Sequence, residues 1–146
     1  MSPIDRAVLA ERTLTLERHL ARVAEKLPSA AEGLVASSDA SDAVVLHLWQ
    51  ATQMVIDLAI SACVAYGAGT PQSYADAFRR LQTAGLIEGA LADRLVRAAG
   101  FRNLVAHAYE RLDMTRVHLA ARTGPADLRA FVATIARAAP GSTPPE

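Results

Sequence analysis

The chain is poor in several things that commonly announce a function. It has one cysteine, Cys63, one lysine, Lys26, one tryptophan, Trp49, and only 5% aromatic residues. A single thiol excludes an intramolecular disulfide, and its place in an apolar run predicts a buried structural thiol in a reducing compartment. Net charge is lacking too: 15 basic and 15 acidic residues give a formal value of +0, so an overall basic nucleic-acid surface is excluded. No unbroken apolar run reaches the ~18 residues needed to span a bilayer. The opening residues carry Asp5, Arg6, Glu11 and Arg12 in place of a signal peptide. The sequence therefore predicts no membrane segment and a cytoplasmic location. Strand-like alternation and internal repeats are absent as well.

What is present is a large apolar fraction, 51% of 146 residues, enough for one domain with a real core. The cations are nearly all arginines, and Arg79, Arg80, Arg94, Arg97, Arg102, Arg111, Arg116 and Arg122 crowd the middle and later chain. Arginine forks onto phosphate and stacks on bases, so a local arginine-rich cleft can hold RNA without an overall basic surface. Taken singly, each of these except Arg102 reads as part of a solvated helix face.

The periodicity predicts an all-α, antiparallel helical bundle of four main helices plus short ones. Ser2-Pro3 opens a first helix to about Leu27, striped by Leu9, Leu16, Leu20, Val23 and Leu27, and Pro28 ends it. A small-residue segment with Gly33 follows. Ser41-Asp42 starts a long helix to about Tyr66, with Val45, Leu48, Thr52, Val55, Ala59 and Ala62 as its seam. Gly67-Ala68-Gly69-Thr70-Pro71 stops it. Ser73 with Asp76 three residues on has the form of a helix cap, leading a short helix to Ala84 with Gly85 behind it. Ile87, Leu91, Leu95 and Val96 mark a helix ending near Gly100; separate helices are expected over 101–112, 113–123 and, after Gly124-Pro125, 126–138. The expected organisation is a single domain over 1–139 and a flexible tail over 140–146.

The densest chemistry lies in the run Phe101-Arg102-Asn103-Leu104-Val105-Ala106-His107-Ala108-Tyr109. The 2′-hydroxyl of RNA attacks its own phosphate when a base takes its proton, a cation neutralises the phosphoryl oxygens and an acid protonates the leaving oxygen. An imidazole with an ordinary pKa of about 6.5 serves as base or acid near neutrality, and a guanidinium is permanently charged and matches phosphate geometry. On an ideal helix, however, Arg102 and His107 stand about 140° apart and do not share a face. Either Gly100 breaks the helix so that Arg102 lies at a frayed first turn, or the site combines two subunits. Asn103 lies on the face of His107 and is placed to position the imidazole or a phosphate. Glu110 is a second candidate to orient the ring, and Arg102 and Tyr109, seven apart, share a face.

Arg-x-x-x-x-His alone is a common pattern on helix surfaces. Arg102-Asn103, His107 and Tyr109 together match the Arg-x-x-x-x-His-x-Tyr motif of the HEPN superfamily, and the chain resembles its HepT-type toxins. The resemblance extends over Ile56-Asp57-Leu58-Ala59, Pro71-Gln72-Ser73-Tyr74-Ala75-Asp76-Ala77-Phe78 and Leu95 through Asn103. It implies a homodimer whose two motif helices make a composite cleft, metal-independent endoribonuclease activity on RNA with no cofactor, and catalytic roles for Arg102 and His107. It also implies that an MNT-type nucleotidyltransferase antitoxin attaches AMP to Tyr109 and silences the toxin. The segment from Ser29 to Asp39 matches no functional residues of the family.

Other residues are less telling. Asp57, an acid within an apolar stretch, either approaches the cleft or pairs with an arginine of the motif helix. His19, His47 and His118 share no metal-ligand spacing with acids or thiols, so solvated or packed positions are expected. Trp49 and Phe78 read as core or dimer contacts, and Tyr74 is open to either role. The rival to a ribonuclease is a non-catalytic helical module that uses the same Arg and His only to bind a nucleotide or a partner protein.

Overall fold

A computed structural model describes residues 4–138. The expected Ser2-Pro3 opening and the expected tail over 140–146 lie outside the described residues. Five helices, α1 (Arg6–Lys26), α2 (Asp39–Ala65), α3 (Tyr74–Thr83), α4 (Gly89–Ala108) and α5 (Met114–Ala138), are joined by loops and two single turns of 3-10 helix. Four are long and α3 is short, as the periodicity predicts, and no strand occurs among the described residues.

The starts are set by local hydrogen bonds. Asp5 Oδ1 accepts from the Ala7 amide at 2.7 Å, and Ser73 Oγ accepts from the Asp76 amide at 3.0 Å. Ser38 and Ser41 form a reciprocal cap, so α2 begins at Asp39, slightly earlier than the Ser41-Asp42 start expected. Gly85, at φ +79°, follows the end of α3 in the left-handed conformation that glycine tolerates without a Cβ penalty.

Helix α2 is the axis of the bundle and touches all four other helices. Its predicted seam, Val45, Leu48, Thr52, Val55, Ala59 and Ala62, is buried throughout, with Val44, Ala51, Ile56, Leu58 and Cys63 beside it. One core cluster joins the later half of α2 to Leu9, Leu16 and Leu20 of α1, Phe78 and Leu81 of α3, Leu95 of α4 and Phe131 of α5. A smaller cluster under the motif joins Val23, Leu34, Val44, Val45, Leu48, Val105 and Val117. Cys63 is buried, its thiol donates to the Ala77 carbonyl at 3.4 Å, and desolvation pushes its pKa up. By length and composition α2 alone among the described helices is apolar enough to cross a membrane, with a best window of mean hydropathy 1.4 that is half buried in the bundle. The expectation that no segment reaches that apolarity therefore fails for α2, because burial against four neighbours selects the same residues that a lipid would.

Two expected helix breaks do not occur. Gly100 lies inside α4 with open space around it, so Leu91, Leu95 and Val105 ride on one continuous helix. Gly124-Pro125 lies inside α5, where Val117, Ala121, Leu128 and Ile135 make one buried stripe across the proline. Proline disfavours a helix interior, yet packing of that stripe on α2, where a side chain at Gly124 would meet Leu48 Cδ1 at 4.0 Å, overrides the local preference. The end of α4 is also earlier than expected. Ala108 turns out of helical geometry at φ −142°, ψ 35°, and Tyr109–Arg111 form a separate 3-10 turn.

Candidate active site

Arg102 is the most tightly organised side chain of the motif. Its Nε donates to Gln53 Oε1 of α2 at 2.6 Å, and an Nη donates to Asn103 Oδ1 at 3.3 Å. Its guanidinium carbon lies 5.1 Å from the ring centre of Trp49 and 5.3 Å from that of Tyr74. Gln53 in turn donates through Nε2 to Asp57 Oδ1 at 2.9 Å. That second bond fixes which end of the Gln53 amide faces Arg102. Asp57 thus reaches the motif arginine through Gln53, where the sequence left open a direct pair or an approach to the cleft. Trp49 and Tyr74 serve as flanking rings for the cation, a use that the core reading of Trp49 did not anticipate.

His107 stands apart from this arrangement. Since α4 is continuous through both positions, a separation of five keeps its imidazole on a different face from Arg102, and it is exposed with no hydrogen bond among the described residues. A break at Gly100 therefore does not reconcile the two side chains within one protomer. Asn103 is exposed one turn before His107, on the same side of α4. Glu110 makes no hydrogen bond to His107, because the turn at Ala108 carries it off the helix.

The same turn removes Tyr109 from the face of Arg102, correcting the expectation that they share one. Tyr109 instead crosses to the first turn of α2, where its hydroxyl donates to Asp42 Oδ1 at 2.6 Å. The hydrogen bond to the carboxylate, with smaller contributions from desolvation and charge, pushes the phenol pKa up to about 12. Ring and acid line a cleft of about 300 Å³ with Ser37, Ser41, Glu110 and Met114. The residue remains 46% exposed.

The remaining histidines are packed. His118 is buried, with Nε2 2.8 Å from the Pro28 carbonyl. The Nδ1 atoms of His19 and His47 meet at 3.0 Å between α1 and α2, and desolvation followed by the charge of His47 lowers the pKa of His19. Among the described residues no group of three or more His, Cys, Asp or Glu is disposed to hold a metal ion. A second cleft, about 330 Å³ between α4 and α5, is lined by Arg94, Arg97 and Arg116 over Phe101 and Leu119. Sequence reasoning missed Gln53 and Asp42. A faint signal for Gln53 exists in its i,i+4 spacing to Asp57, whereas Asp42 meets Tyr109 only through the fold.

The profile of the family described as Ribonuclease HepT-like matches residues 16–135. The mRNA nuclease HepT of Shewanella oneidensis is 34% identical over 73 residues, which span 50% of this chain and 55% of that protein. The tri-AMPylated Shewanella oneidensis HEPN toxin, solved in complex with MNT antitoxin, superposes with a TM-score of 0.78 at 25% identity, covering 88% of this chain and 96% of that one. A cytosolic protein of unknown function from Bacillus subtilis, YutE, shares the fold at a TM-score of 0.76 and 16% identity, over 92% of this chain and 90% of its own.

Proposed function

The chain belongs to the ribonuclease HepT-like family, and on that premise we propose that it is the toxin of a HEPN/MNT pair, a homodimeric endoribonuclease that cuts RNA without a metal ion. In this reading Arg102 stabilises the charge on the phosphoryl oxygens, His107 moves the proton at the 2′-hydroxyl or at the leaving 5′-oxygen, and Asn103 positions the scissile phosphate. The 2′-oxygen attacks phosphorus, the 5′-oxygen leaves, and a 2′,3′-cyclic phosphate remains. An MNT-type nucleotidyltransferase is the partner, and AMP on Tyr109 silences the enzyme by filling the cleft and adding negative charge where RNA phosphate binds.

One observation carries the dimeric form of this proposal. Gln53, Trp49 and Tyr74 hold Arg102 on one face of a continuous α4, while His107 is exposed on another. A phosphate that needs both groups finds them together only where two copies of α4 approach. The test is complementation within the dimer. Arg102→Ala and His107→Ala chains with different tags are coexpressed, and mixed dimers are purified through both tags. Each variant alone is expected to be folded and inactive in chelator-treated buffer, and the mixed dimer to regain cleavage, because one arginine and one histidine remain across its interface. Mixed dimers that stay inactive, or single variants that cut at the wild-type rate, refute the composite site.

A further inference from the structure

The Tyr109–Asp42 pair is more than an acceptor awaiting modification. We propose that Asp42 is a catalytic residue of the modification reaction: it takes the proton from the Tyr109 hydroxyl as that oxygen attacks the α-phosphorus of a nucleoside triphosphate presented by the partner. The proposal rests on Tyr109 being the AMP acceptor.

The chemistry requires a base in this position. A phenol is a poor nucleophile until its proton leaves, and one whose pKa stands at about 12 is ionised to about one part in 10⁵ at pH 7. Preformed phenolate is therefore scarce, and removal of the proton during attack is the productive route. Asp42 Oδ1 is already at 2.6 Å from the hydroxyl, within the range required of a general base. Among the described residues the only other charged side chain lining the cleft is Glu110, which makes no hydrogen bond to Tyr109. The Tyr109 O–H bond breaks with its proton passing to Asp42, the freed lone pair forms the O–P bond, and the bond from the α-phosphorus to the bridging oxygen breaks, with its electron pair leaving on pyrophosphate.

The experiment uses the full chain, its nucleotidyltransferase partner and magnesium ATP, with AMP transfer followed by intact mass and the acceptor confirmed by Tyr109→Phe. Asp42→Asn keeps an oxygen that accepts from the phenol but cannot take its proton. It is expected to slow transfer by about 100-fold or more, the usual range of a general base, with KM for ATP unchanged and with a rate that climbs more steeply with pH than that of wild type. Asp42→Glu is expected to restore part of the rate, which a merely structural defect would not allow. Transfer to Asp42→Asn at the wild-type rate overturns the role of Asp42 while leaving Tyr109 as acceptor. Wild-type protein that gains no AMP, or gains it equally in Tyr109→Phe, overturns both.

Discussion

Substitution of Gln53 by leucine isolates how much of the proposed catalysis depends on holding Arg102 still. The side chain is half-buried, leucine keeps most of its volume, and the change deletes the acceptor 2.6 Å from Arg102 Nε while leaving the cation itself in place. A hydrogen bond to a charged group contributes about 1.5–3 kcal/mol, and about 1.4 kcal/mol is tenfold in an equilibrium, so the placed arrangement loses at most about 10- to 150-fold in population. The rings of Trp49 and Tyr74 still flank the guanidinium at 5.1 and 5.3 Å and retain about 0.5–1 kcal/mol each. We therefore expect the lower end, a loss of about 10- to 30-fold in kcat/KM, with stability within about 1 kcal/mol of wild type. Single-turnover cleavage of a defined RNA provides the rate, and a double-mutant cycle provides the cause: in an Arg102→Lys background, which keeps a cation but lacks the Nε donor, the same Gln53 substitution is expected to change little further. A Gln53→Leu enzyme as fast as wild type, or a double variant that loses both factors in full, refutes the idea that Gln53 acts through Arg102.

Further outcomes follow from the same geometry. Ultraviolet titration of the phenols is expected to show one tyrosine ionising near pH 12 that moves toward its ordinary value of 10.0 in Asp42→Asn. Because the folded-state pKa is raised above the unfolded one, the Tyr109–Asp42 bond stabilises the fold fully below about pH 10, and that contribution disappears as pH rises through 12. Thermal unfolding over this window is expected to fall more steeply for wild type than for Asp42→Asn, and parallel curves count against the bond. Phe131, fully buried and edge-on to Phe78 at 5.6 Å, is expected to cost about 3–5 kcal/mol on replacement by alanine, measured by urea unfolding, and a loss below about 1 kcal/mol contradicts the core described here.

The parts of this molecule legible in its sequence are those decided within a few residues. Ser73 caps α3 through an amide three positions away, and the α2 seam repeats at a fixed interval, so both appear in the chain order itself. Gly100 and Pro125 misled because their local preferences for a break are small beside the burial of a whole stripe, in α5 seven buried residues that continue through the proline. Arg102, His107 and Tyr109 were legible as residue types, but their partners were not: Gln53 is 49 positions from Arg102, and Asp42 is 67 from Tyr109. Both partners belong to α2, one at its first turn and one near its middle, which has a physical consequence. The helix that gives more buried residues to the core than any other also sets the arginine and the tyrosine, while the intervening break at Ala108 lets the two be held by different turns of one element. A regular helix through Tyr109 would have put phenol and guanidinium on one face, competing for the same anion. The turn separates them, so the phenol meets Asp42 at the rim of α2 while the arginine stays seated between its rings.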